Sequence, residues 1–165
     1  MTISLSVSSI NKKAPYPVWS ENGYTFLFKT NAGVVYEVGF VEDHMISDEG
    51  DVLQLFICVT AGALSYRDPA IQSTVIAILE EFFRIDDVTL VYICDTQDGR
   101  QASRQRLFSI WFHTYPDREE YYHDYRELRV DGTGYYMALL SKADNPLLPS
   151  RREAFELLHK QLSGK

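Results

Sequence analysis

From Tyr24 to Lys29 the side chains take turns, with Tyr24, Phe26 and Phe28 on one side of the alternation and Thr25, Leu27 and Lys29 on the other. A period of two sends successive side chains to opposite faces of a strand. Asn31-Ala32-Gly33 breaks the chain before Val35 to Val41 resumes the pattern, which predicts a hairpin. Ahead of it, Pro15, Pro17, Asn22 and Gly23 mark residues 1–23 as an irregular segment, with a short strand at Ile3 to Val7. An acidic loop from Glu42 to Asp51 leads into Val52 to Val59, an almost wholly apolar run that predicts a strand near the sheet centre, covered on both faces.

Asp68-Pro69 supplies a side-chain acceptor at a helix N-cap and a proline for the first helical position, and Ile71, Val75, Ile78, Leu79 and Phe82 then share one face. A helix over 69–83 follows. Val88 to Cys94 is the second continuous apolar strand, and a helix-length crossover between two such runs predicts a parallel pair. Asp95-Thr96-Gln97-Asp98-Gly99 is a turn before a helix from about Gly99 to Tyr115. The chain then offers strands at Tyr122 to Val130 and Tyr135 to Leu140 around Asp131-Gly132-Thr133-Gly134. The Ser150-x-x-Glu153 capping box opens a last helix with Phe155, Leu158 and Leu162 inward. The order β-β-β-α-β-α-β-β-α reads as one α+β domain over 24–165, a mixed, mainly antiparallel sheet with helices on its faces.

Composition narrows the classes. With 45% apolar and 13% aromatic residues the chain can bury a core. Twenty-three acidic residues against 16 basic ones, a net charge of −7, argue against nucleic acid as a partner. No uncharged apolar run approaches the roughly 18 residues of a membrane span, and the first lysines follow the mildly apolar start, so neither a membrane partner nor export is expected and the setting reads as cytoplasmic. Cys58 and Cys94 each sit in an apolar strand pattern and are expected buried. His44, His113, His123 and His159 show no i,i+4 pair, so no metal site is expected.

The order from Tyr24 to Leu140 resembles the GCN5-related N-acetyltransferase fold from its second strand onward. Tyr66-Arg67-Asp68-Pro69-Ala70-Ile71-Gln72-Ser73 stands where that family has an Arg-x-x-Gly-x-Gly or Ala segment, and Arg67 agrees with it. The resemblance implies a helix start whose amides meet the pyrophosphate of coenzyme A. Here Ala70 and Gln72 replace the glycines that permit close approach, and Pro69 removes one amide. Ala102 to Phe108 is similar to the family's stretch ending in a tyrosine that protonates the departing thiolate, and Phe108 has no proton to give. The block from Tyr92 through Asp98-Gly99-Arg100-Gln101 to Trp111-Phe112 also resembles a family of short bacterial proteins of unknown function, which implies a fold and a bacterial setting but no activity.

On a helix advancing about 100° per residue, Arg100, Arg104, Leu107 and Trp111 fall within about 60° of one another, on the stripe that should face the sheet. Asp95 and Asp98 are close enough in sequence to pair with the two arginines, either as a salt-bridged corner or, with Arg67, as an anion-binding group at a helix N-terminus. No Ser, Thr or Cys stands in a nucleophile motif. Tyr115, Tyr121, Tyr122, Tyr125, Tyr135 and Tyr136 crowd the last hairpin, either as cross-strand pairs or as a surface for a protein partner or a second copy. The residues favour a non-catalytic binding module for a small molecule or protein, with no cofactor. The alternatives are an acyl-CoA-dependent N-acyltransferase using acetyl-CoA and a small regulator or toxin-neutralising protein.

Overall fold

In the computed structural model, residues 4–62, 68–94 and 111–164 are described, Cys94 by its backbone alone. The chain divides by contact density into two units, Met1–Val41 with Leu55–Asp86, and Glu42–Gln54 with Asp87–Lys165. Among the described residues, seven strands form a mixed sheet in the order β1-β2-β3-β4-β5-β7-β6, where β1 is Val18–Trp19, β2 Thr25–Lys29, β3 Val35–Glu42, β4 Val52–Ala61, β5 Thr89–Cys94, β6 Tyr121–Val130 and β7 Thr133–Lys142. The expected α+β class holds. Among the described residues no helix is long and apolar enough to cross a membrane.

The first unit is built on the predicted hairpin. β2 and β3 pair antiparallel with Phe26 opposite Val38 and Phe28 opposite Tyr36, and all four are fully buried. Gly33, at φ 82°, makes the turn that Thr30 closes. Helix α2 (Pro69–Phe82) lays Ile71, Val75, Ile78 and Phe82 into this core, and the Phe82 ring stacks on Phe40 at 4.6 Å. The N-terminal residues are more regular than expected. Val7 belongs to no strand: it opens a short helix α1 (Val7–Asn11), because the Ser6 side chain accepts from the Ser9 amide as an N-cap. The Asn11 amide then bonds both backbone groups of Val18, setting β1 against β2.

β4 corrects a second expectation. Val52 and Leu53 are buried, but burial fades along the strand and Cys58 is exposed, 4.0 Å from a Glu37 carboxylate oxygen. An apolar sequence permits burial on both faces without supplying what covers them. The side chain of Cys94 lies outside the described residues.

In the second unit the start of β4 pairs parallel with β5, Val52 opposite Thr89 and Gln54 opposite Val91, as the crossover predicts. β7 runs antiparallel between β5 and β6. The β6–β7 turn is tighter than the four residues expected: Asp131 and Gly132, both at positive φ, make a two-residue turn of the kind that matches strand twist. Helix α3 (Leu148–Ser163) covers one face, with Phe155 and Leu148 against Val52, Val91, Met137 and Leu139. It starts before the capping box. Pro149 fits the first turn, Asn145 accepts from the Leu147 amide, and Ser150 donates to the Leu147 carbonyl instead of capping. Arg151 is buried and joined to Asp51 at 2.5 Å and Glu49 at 3.0 Å.

Candidate functional site

Asp95, Asp98, Arg100, Arg104 and Arg67 all lie outside the described residues, as do Phe108 and most of the expected second helix, of which residues 111–114 are described as helical. Trp111 is buried, as its place on the inward stripe requires.

The start of α2, in the first unit, is fully described from Asp68 onward. The Asp68 carboxylate accepts from the Ala70 amide at 2.9 Å, its carbonyl accepts from Ile71 at 3.0 Å, and Pro69 has no amide to offer. The Tyr16 hydroxyl donates to the other carboxylate oxygen of Asp68. Thr74 fastens the same corner, accepting from the Tyr16 amide and donating to the Ala70 carbonyl. The terminus where an anion would gain from free amides and the helix dipole is thus occupied by a fixed negative charge. Beside a pyrophosphate, that charge is repulsive.

In the second unit, the face of β5, β7 and β6 opposite α3 carries an aromatic group. The alternation of β5 and the register of β6 on β7 put Tyr92, Ala138, His123 and Tyr125 on this one face. The Tyr92 hydroxyl lies 2.7 Å from His123 Nε2, and the Phe112 ring is 4.7 Å from the imidazole. Tyr125 is also near, at 6.1 Å, and stands 47% exposed. Burial pushes the His123 pKa down to about 4, the neighbouring His113 adding to the effect and Asp124 opposing it. The imidazole is therefore neutral at physiological pH, with one donor and one acceptor nitrogen. An apolar platform with a few fixed polar atoms suits a planar or acyl group better than an anion.

The other face holds a shallow apolar hollow between α3 and the residues after β3, lined by Met45, Ile46, Ile93, Met137, Phe155 and Leu158. Asp43 beside it is buried but satisfied, accepting from the Ile46 amide and the Gln54 side chain. Among the described residues no group of His, Cys, Asp and Glu is placed to hold a metal ion.

The sequence reading missed the pairing of Tyr92 with His123, which are 31 residues apart. The signal was present as strand parity in β5 and β6, but it needs the register across β7 before it becomes a contact.

A family of unknown function, DUF6169, matches residues 67–157, more than half of the chain. Among curated proteins nothing matches. Among solved structures, a CoA-dependent acyl-homoserine lactone synthase, MesI, is similar at 10% identity and a TM-score of 0.39, covering 82% of this chain and 71% of that one.

Proposed function

Because the chain belongs to DUF6169, a family of unknown function that lends no activity, we propose from the geometry that it is a non-catalytic binding module on an acetyltransferase-like scaffold. The scaffold reading is supported by the strand order and by the parallel pairing of β4 with β5 across helix α2. What carries the non-catalytic reading is the state of the α2 start: Asp68 caps it with a carboxylate held by Tyr16, so the terminus offers a phosphate a negative charge in place of donors. The surface that does suit a ligand is the aromatic face around Tyr92, His123 and Tyr125. It is suited to a flat or acyl group, or to an apolar side chain of a protein.

A second reading, an acyl-CoA-dependent acyltransferase, is favoured by one observation. Tyr92 and His123 are a hydrogen-bonded pair able to pass a proton, and the Tyr92 hydroxyl has the proton that a phenylalanine at 108 cannot give. The two readings part in a thiol-release assay with acetyl-CoA and a panel of amines. The module reading expects no release above an inactive control; release that falls on Tyr92→Phe would establish the second reading instead.

A further inference from the structure

β6 ends the strand order, so among the described residues no strand pairs with its outer side. It is ten residues long, contains neither Pro nor Gly, and keeps an unbroken register on β7 from Tyr121 to Val130. A long, regular edge is a template for another strand, and edges are ordinarily blunted by proline, bulges, charged side chains or a covering element; β6 has no proline and no bulge, and its charges alternate in sign. The direction of its backbone groups follows from the register. The Ala143 amide donates to the Glu120 carbonyl at 2.8 Å, so even-numbered residues bond β7 and the odd-numbered ones, 121 to 129, turn their amides and carbonyls outward. One of these is already visited: His159 Nε2 lies 2.8 Å from the Glu127 carbonyl, which keeps a second lone pair.

The polar side chains along this edge are ordered, and the order is its own complement. Outward from Tyr125, the charges Asp124 and Arg126 stand on either side, followed by the neutral imidazole of His123 and by Glu127. Lay the same strand antiparallel on itself about Tyr125 and Asp124 meets Arg126 of the second copy, His123 meets Glu127, and Tyr125 meets Tyr125. The parity agrees as well. Tyr125, His123 and Glu127 carry outward backbone groups and would form the hydrogen-bonded pairs, leaving Asp124 opposite Arg126 as the non-hydrogen-bonded pair, where side chains come closest. Arg126 already bonds Glu156 at 2.7 Å and Asp124 at 3.2 Å in its own chain, and its guanidinium has donors for a further carboxylate. Tyr125, 47% exposed, sits where the two-fold axis would pass.

We propose that β6 is a self-association edge, and that two copies of this chain pair through it antiparallel about Tyr125 into a continuous sheet. The occupant is a second copy because an arbitrary partner strand would need the reversed charge order, which this strand already has. An isologous two-fold contact of this kind closes on itself and stops at a dimer.

Sedimentation equilibrium across the micromolar range tests it, with circular dichroism to verify that each variant is folded. The wild-type chain should be a dimer. Tyr125→Pro removes an outward amide at the two-fold centre while leaving the β6–β7 bonds in place, and should weaken the dimer about a hundredfold or more. Asp124→Lys alone and Arg126→Glu alone set like charges face to face twice and should each be monomeric, whereas an equimolar mixture of the two places Lys opposite Glu and Arg opposite Asp, and should restore a dimer. A monomeric wild-type chain, a dimer indifferent to Tyr125→Pro and Asp124→Lys, or a mixture of folded variants that stays monomeric would overturn the proposal.

Discussion

Burial changes the chemistry of His123. Its folded pKa is about 4 against an ordinary 6.5, so between those values the unfolded chain binds the proton that the folded one refuses. Stability therefore rises with pH through that window, is complete above about 6.5, and is lost as pH falls toward about 4. From about pH 7 down to about pH 5 the contribution of this one group is a loss of about 2 kcal/mol. Denaturant unfolding at the two pH values measures it in the wild type and in His123→Gln, whose amide can still bond Tyr92 but does not titrate. The gap should shrink by about that amount, and an unchanged gap would show that His123 is charged or solvated in the fold. The pairing of Arg104 with Asp95 or Asp98 lies outside the described residues, and a buried arginine paired with an aspartate is found elsewhere. The described instance is Arg151 with Asp51, a hundred residues apart, and helical spacing gives no hint of a partner at that distance. Cys58 shows the reverse failure, since its apolar neighbours in sequence say nothing of what lies over it in space.

Elements were more legible than residues. Alternation located β2 and β3, and Asp68-Pro69 marked the start of α2 to the residue, because a proline at the first helical position and a carboxylate before it act locally. Where two local signals competed, sequence could not choose: Ser150 and Glu153 offered a cap, but Asn145 and Pro149 began α3 earlier. Gly39 in β3 shows a requirement that no pattern announces. A Cβ there would stand 2.1 Å from the tip of the Phe56 ring, which packs over the bare backbone. Gly39→Ala should cost about 2 kcal/mol in the wild-type chain and much less in a Phe56→Ala background, where the ring is gone. Chemical denaturation of the four combinations checks this coupling, and equal losses in both backgrounds would mean that the Phe56 ring is not what excludes a Cβ at this position.

At the scale of the whole chain, the α+β class and the parallel β4–β5 pairing followed from two apolar runs joined by a helix-length crossover. The candidate site did not follow, because it assembles from β5, β6 and the residues at 111–115, and only tertiary register brings these together. If this chain is the binding module proposed above, the start of α2 is closed to the pyrophosphate of an acyl-CoA by Asp68 and Tyr16. Isothermal titration calorimetry of the intact chain with acetyl-CoA is the most direct measurement of it. No saturable heat is expected. Stoichiometric binding of acetyl-CoA, lost on competition with free coenzyme A, would contradict it.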